Sequence, residues 1–244
     1  MVPVEIEPVY VLSAAPSTAP QSNTGGGTSP HVTFAQPAYL LRTGDQTTRS
    51  DCQASPLCGF IKTMATFPTL RTDRLLLRQF QLSDATDVQR LAGVKEVAAG
   101  TFLPHPYTDG TAEQWITSQQ QDFEADTLVN FAIVLPTNHV LIGSIGLDIA
   151  AEHQHARLGY WLGVPYWNHG YGTEAVNAVL AYGFNQRQLH RIYAPHFLNN
   201  PASGRVLQKV GMTYEGRMRE HYLRFGQYVD VELYGMLEQD FHRR

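Results

Sequence analysis

Residues 160–175 read YWLGVPYWNHGYGTEA, and within these positions a strand-like run passes through a proline-containing loop and a Gly-x-Gly pair into a helix. The helical spacing that follows is explicit, with Val176, Val179, Leu180, Gly183 and Phe184 at i, i+3, i+4, i+7 and i+8. A strand feeding a helix through bare glycines commits the chain to a layered α/β arrangement. It also leaves backbone N–H groups unpartnered at a helix start, where the helix dipole adds partial positive charge. That combination suits a phosphate or pyrophosphate without needing a lysine. Glycines equally serve tight turns and close packing, so the pattern alone leaves both readings open.

Two familiar nucleotide loops are set aside. No GxxxxGK[ST] run is present, and although GYGTEA fits the loose GxGxxA form, no acidic residue follows about 20 positions on. Neither ATP nor NAD is therefore the expected ligand.

The surrounding pattern alternates between the two periods. Residues 74–80 read as a strand, and Leu82, Ser83 and Asp84 as a staple and cap opening a helix with Val88, Leu91 and Ala92 inward and Gly93 at its end. Residues 108–125 read as a second helix with Trp115, Ile116, Gln119 and Phe123 on one face. Two β-rich runs, 129–135 and 140–148, flank the turn Pro-Thr-Asn-His, and 156–162 is a further strand. After the helix at 170–184, residues 191–197 return to strand, and 201–210 form a short helix with proline in its first turn and Gly211 as its stop. Strands 212–222 and 228–237 close the chain around Phe225, Gly226 and Gln227. The order β-α-α-β-β-β-α-β-α-β-β predicts a mixed α/β sheet domain with no internal repeat.

The first sixty or so residues differ in kind. Between Ser13 and Ser55 the chain is dominated by Ser, Thr, Pro, Gly, Ala and Gln, with too few spaced apolar residues to bury anything. Residues 1–63 are expected to be a disordered low-complexity extension, and 64–244 the folded domain. Met64, where MATFPTLRTDRLLLRQF begins, is a candidate for the true start; a regulatory or interaction tail is the competing reading.

The formal net charge of -4 provides no broad basic field, so attraction to nucleic acid or an anionic membrane is not expected. No run approaches the ~20 apolar residues that cross a bilayer, and Glu5 and Glu7 stand where a secretory signal would be basic. The only cysteines, Cys52 and Cys58, lack both zinc-site spacing and a disulfide framework and read as free thiols in a reducing cytoplasm. A cytoplasmic protein acting on small or protein-sized substrates, without a metal, is the expectation.

Four ordered segments resemble the GNAT acetyltransferases, and within them the RimJ/RimL-like branch that acetylates protein N-termini and other amines. They are LRTDRLLLR at 70–78 with LSDA at 82–85; GYWL followed by PYWNHGYGTEA; NPASGRVLQKVGM at 200–212, with Met212 where phenylalanine is usual; and Glu215-Gly216 with Arg219, Gly226 and Asp230. The resemblance covers about 70–241. It implies a mixed, mostly antiparallel central sheet flanked by helices, and an acetyl-CoA-dependent N-acetyltransferase acting on a protein α-amine or a small amine.

Residue by residue, it implies that Asn168, His169, Gly170, Tyr171, Gly172 and Thr173 wrap the coenzyme A pyrophosphate. Leu162 and Val164 would pair by backbone with the pantetheine arm. Asn200 would hydrogen-bond that arm, and Ser203 would donate to the departing thiolate; for both, helix capping is the alternative. The implied reaction is direct attack of an uncharged amine in a ternary complex, without a covalent enzyme intermediate, and with a monomer or homodimer as the assembly. Trp167 stands where many members carry Gln or Arg but is common in the branch. Arg157 occupies a strand position that is often Glu, which leaves no obvious carboxylate to deprotonate the amine; His155, His196 and Glu113 are the candidates. A catalytically degenerate acyl-CoA-binding sensor or scaffold is the alternative function that this motivates. Phe102, Tyr107 and Trp115 line an acceptor entrance or are core, and Arg219 with Asp230 is a possible structural ion pair.

Overall fold

A computed structural model describes residues 66–244. The expected extension at 1–63, the candidate start at Met64, and Cys52 and Cys58 lie outside the described residues. Eight strands form one sheet in the order β1-β2-β3-β4-β5-β6-β8-β7: β1 (Leu70–Arg71), β2 (Leu76–Arg78), β3 (Leu128–Leu135), β4 (Val140–Ala150), β5 (His155–Leu162), β6 (Arg191–Phe197), β7 (Thr213–Arg224) and β8 (Gln227–Leu237). Every neighbouring pair is antiparallel except β5 with β6. The helices are α1 (Ala85–Ala92), α2 (Lys95–Ala99), α3 (Thr111–Glu124), α4 (Tyr171–Asn185), α5 (Pro201–Lys209) and α6 (Glu238–His242). The expected mixed, mostly antiparallel sheet flanked by helices is what forms.

Both faces of the central strands are covered, which is why LVNFAIVL and VLIGSIGLDIA are apolar almost throughout. Val129, Phe131 and Ile133 pack with Val176, Val179, Leu180 and Phe184 of α4. Ala132, Val134 and Leu141 pack with Val88, Leu91, Ala112 and Ile116 of α1 and α3. Alternation along β3 therefore divides two cores, each buried Leu, Ile or Phe contributing about 1.5–3 kcal/mol. Gly183 lets α4 close on the sheet, since a Cβ there would lie 2.5 Å from Ile192 Cδ1.

The sequence reading differs in four places. The single strand expected at 74–80 is a hairpin of β1 and β2, because Thr72 turns the chain: its N–H donates to the Leu75 carbonyl at 3.0 Å and its Oγ1 accepts the Leu75 N–H at 3.0 Å. Leu82 is 63% exposed and staples nothing. Asp84 instead accepts the Gln81 N–H at 2.8 Å and a two-pronged bond from Arg78 at 2.7 and 2.8 Å. The second helix starts at Thr111 because Gly110 takes a left-handed conformation, φ 82°. The short helices α2 and α6 bury too little to register as periodic patterns.

The feature that positions the site is the β5–β6 pair. It is parallel and short: His155, Ala156 and Arg157 pair with Arg191, Ile192 and Tyr193, and pairing then stops. Residues 158–162 of β5 and 194–197 of β6 run on with no pairing between them, so the sheet splits.

Candidate active site

The split opens into a cavity of about 690 Å³, lined by β5, β6, the start of α4, α5, the inner strands and residues 96–107. The Gly163 N–H donates across to Ile142 of β4 at 2.9 Å, so by alternation the backbone groups of Tyr160 and Leu162 point away from β4 and into the split. The Leu162 carbonyl accepts the Trp167 indole N–H at 2.8 Å, which pins the loop that follows.

That loop delivers the chain to α4 through Gly170, which is left-handed with φ 80°, and no side chain caps the helix. The N–H groups of Tyr171, Gly172 and Thr173 are left without intrahelical partners at the cavity wall. Glu174 locks the turn from outside. Its carboxylate accepts from Thr72 Oγ1 at 2.6 Å, the Arg74 N–H at 2.9 Å and Arg74 Nε at 2.7 Å, and Arg74 Nη1 donates to the His169 carbonyl at 3.0 Å. Burial alone would raise the Glu174 carboxyl, but these bonds hold it below the usual carboxylate range.

Of the residues singled out from sequence, Leu162, Asn168, Gly170, Tyr171, Gly172, Thr173, Asn200 and Ser203 line this one cavity. Val164 and His169 are outside the lining: Val164 begins a short 3-10 turn, and the His169 imidazole turns out, stacked on Tyr171 with ring centres 5.6 Å apart. Asn200 caps α5, its Oδ1 accepting the Ser203 N–H at 3.2 Å, while its Nδ2 donates to the Gly100 carbonyl at 3.1 Å. A Cβ on Gly100 would meet that Nδ2 at 2.9 Å, so only glycine allows the approach. Ser203 Oγ lies 3.0 Å from the Tyr160 hydroxyl, and burial pushes the Tyr160 phenol up to about 12.

The opposite wall is made of side chains. Asp148 and Arg157 are direct cross-strand partners joined at 2.9 Å, so the strand position without a Glu has a carboxylate beside it after all. Deeper in, Ser144 Oγ donates to Asn130 Oδ1 at 2.8 Å, Asn130 Nδ2 to Gln119 Oε1 at 3.0 Å, and Gln119 Nε2 to the Trp115 carbonyl at 3.1 Å. All three side chains are buried, and Asn130 and Ser144 face the cavity. Sequence reasoning passed over Asp148, Asn130 and Ser144; the available signal was a polar residue interrupting an apolar strand that is buried on both faces.

Phe102, Tyr107 and Trp115 line the same end. Phe102 sits edge-on to Phe197 and Tyr222, each at 4.7 Å, Trp115 packs on Phe80, and burial followed by Glu113 pushes the Tyr107 phenol up to about 12. The wall at 98–103 is fastened from outside by Arg224, whose Nη2 donates to the carbonyls of Ala98, Thr101 and Leu103 at 3.3, 3.0 and 2.9 Å.

Of the three candidate bases, only His196 lines the cavity; its Nδ1 lies 2.9 Å from the Phe197 carbonyl and its Nε2 3.5 Å from Glu232. Glu113 is exposed on α3, and His155 sits at the far start of β5, edge-on to Tyr193. Asp230 does not pair with Arg219: its carboxylate accepts the Glu220 N–H at 2.9 Å where the β7–β8 register shifts. Among the described residues no helix is long and apolar enough to cross a membrane, and no three His, Cys, Asp or Glu are placed to hold a metal ion.

A split sheet, an uncapped helix start and a capped serine meeting at one cavity can be set against known proteins. The chain matches the acetyltransferase (GNAT) domain family over residues 74–213. It is 31% identical over 173 residues to the uncharacterized N-acetyltransferase YoaA of Bacillus subtilis (strain 168), covering 70% of this chain and 98% of that protein. Among solved structures, an acetyltransferase of the GNAT family from Bacillus anthracis superposes with a TM-score of 0.64 at 26% identity, covering 70% of this chain and 99% of that one. Spermidine N-acetyltransferase from Vibrio cholerae, solved with CoA and spermine, superposes with a TM-score of 0.62 at 20% identity, covering 70% and 99%, and shares the fold. Over more than half of its length, and with the cavity placed where its sheet divides, this chain belongs to the GNAT acetyltransferase family and is an acyltransferase.

Proposed function

We propose that this protein transfers the acetyl group of acetyl-CoA to a primary amine, on a protein N-terminus or a small molecule, by direct attack in a ternary complex. The observation that carries this reading is the convergence on one cavity of the β5–β6 split, the bare N–H groups at the start of α4, and the Asn200–Ser203 cap. The fit is physical. A pyrophosphate needs several N–H donors and room for close approach, which Gly170 and Gly172 leave. An extended amide-bearing arm needs an open strand edge, which Tyr160 and Leu162 provide.

Bound acetyl-CoA supplies an activated thioester carbonyl. The α4 start holds the phosphates, and Asn168, Tyr171 and Thr173 shape that end. Leu162 orients the arm by its backbone N–H, its carbonyl being held by the Trp167 indole. Asn200 retains one amide proton beyond its bond to Gly100 and keeps the first turn of α5 in place. Ser203 Oγ donates toward the leaving sulfur, where negative charge develops. At the other wall, Asp148, held by Arg157, orients the incoming amine and accepts from its N–H, directly or through water. Asp148 weighs against a degenerate domain, since it places a carboxylate beside Arg157. The ribosomal-protein branch suggested by the sequence motifs is the acceptor class to screen first.

The test is turnover. The full chain is incubated with acetyl-CoA and a panel of N-terminal peptides, polyamines and small primary amines, with CoA release and the mass of the acetylated acceptor both followed. Acetylated product from any amine supports the reading. Acetyl-CoA binding with no transfer to any member of the panel would restore the sensor reading.

A further inference from the structure

We propose that Tyr160 takes part in acyl transfer through Ser203: its phenol donates to Ser203 Oγ and so aims the serine hydroxyl proton at the sulfur that leaves. The inference rests on the acetyl-CoA-dependent reading above and adds a positioning residue to it.

The geometry begins with strand alternation. Along β5, Leu158, Tyr160 and Leu162 share the face toward α4. The Tyr160 ring runs beneath the first turn of α4, where a Cβ on Gly172 would lie 3.7 Å from Tyr160 Cε2 and 3.7 Å from Val206 of α5. Its hydroxyl reaches past that gap to Ser203 Oγ at 3.0 Å. Ser203 is thus held twice, its N–H by Asn200 Oδ1 and its hydroxyl by Tyr160. Both side chains line the cavity.

The chemistry decides which oxygen donates. A hydroxyl has one proton and two lone pairs, so whichever group donates across the pair has no proton left for a third partner. A phenol is the stronger donor of the two, which leaves the serine proton free to turn into the cavity. Burial pushes the Tyr160 phenol up to about 12, so it stays neutral and able to donate across the working pH range.

In the step itself the acyl carbon–nitrogen bond forms and the carbon–sulfur bond breaks, the sulfur departing with the electron pair. The amine nitrogen loses one proton to Asp148 or water, and solvent returns one to the thiolate. Tyr160 and Ser203 end as they began. An ordinary thiol titrates at about 8.5, well below the buried phenol, so handing the phenol proton to the thiolate is uphill. The pair therefore works by hydrogen bonding to developing charge rather than as a net acid.

The experiment is steady-state acetylation by the full chain, with an amine the wild type accepts, for Tyr160→Phe, Ser203→Ala and the double variant. Expected for Tyr160→Phe is a fall in kcat of about tenfold with KM for acetyl-CoA and for the amine within about twofold, an unchanged pH profile, and unfolding near the wild-type temperature. The double variant is expected to be no slower than Ser203→Ala, because Tyr160 acts only through that hydroxyl. Wild-type kcat in Tyr160→Phe, losses that multiply in the double variant, or a loss carried by KM for acetyl-CoA overturns the proposal and leaves the parent reading standing. Wild type that turns over no amine removes the parent reading and this one together. Should Tyr160→Phe fail to fold, 3-fluorotyrosine at position 160 strengthens the donor at nearly the same size; kcat at or above wild type is expected, and a fall of tenfold contradicts the role.

Discussion

Along β5, β6 and the start of α4 the cavity wall is backbone: unpaired strand edges, bare helix N–H groups and two glycines. Along β3, β4 and residues 96–107 it is side chains: a carboxylate held by an arginine, a buried amide and hydroxyl chain, and aromatic edges. The first wall suits a partner that never changes, because main-chain donors are fixed by the fold and tolerate drift in side chains. The second suits a partner recognised by its own shape and charge, because side chains rather than the fixed main chain make its contacts. We assign acetyl-CoA to the first and the amine to the second, and the two assignments can be broken separately.

The largest effect is expected at Gly172→Leu. A Cβ there already meets Tyr160, Leu162 and Val206 at 3.7 Å, so the further carbons of a leucine must crowd those side chains or enter the cavity beside the start of α4. Affinity for acetyl-CoA should fall about a hundredfold or more. Gly170 is the poorer choice, since its left-handed φ would add backbone strain to any loss.

On the other wall, Asp148→Asn should lower kcat/KM for the amine by about tenfold to a hundredfold while KM for acetyl-CoA stays put. A matching rise in KM for acetyl-CoA would merge the two walls into one. Ser144→Ala strands the Asn130 carbonyl oxygen in a buried place, and about 1–3 kcal/mol of folding stability should be lost in a denaturant titration. The stability change is expected without a change in acetyl-CoA affinity.

The smallest effect concerns pH. The Glu174 carboxyl is held below its ordinary range by Thr72 and Arg74 against the opposing effect of burial, so its contribution is present above the ordinary carboxylate pKa and lost as pH falls through its folded value. Glu174→Gln should therefore be less stable than wild type near neutrality, by under about 1 kcal/mol because Arg74 is half exposed, and the gap should close on acidification below about pH 4. A gap that widens in acid would contradict the sign.

The same contrast explains what was legible in advance. The backbone wall, β6 apart, comes from one continuous stretch, strand to loop to Gly170 and Gly172 to helix, and a contiguous pattern can be read directly. Asn200 and Ser203 were legible as a cap and as ligands; the geometry supplies the cap and a second bond from Asn200 to Gly100. Asp148 was not legible because its meaning comes from register: only the pairing of β4 with β5 sets it opposite Arg157. Asn130, Ser144 and Gln119 come from two strands and a helix, and nothing local signals that they meet. Arg74 was read as part of a strand, and Thr72 only as part of the motif at 70–78, because their partner, Glu174, lies about a hundred residues away. Elements were easy where one face repeats, as in α4, and hard where burial is slight, as in α2 and α6.

The central claim is that donor and acceptor bind to separate walls of one cavity, and one crossed binding measurement addresses it. Acetyl-CoA is titrated calorimetrically into the full-length wild type, Gly172→Leu and Asp148→Asn, each shown to be folded by its thermal transition. The account expects binding by wild type and by Asp148→Asn with affinities within about threefold, and none detectable for Gly172→Leu. Equal binding by all three, or loss in Asp148→Asn with retention in Gly172→Leu, would contradict it.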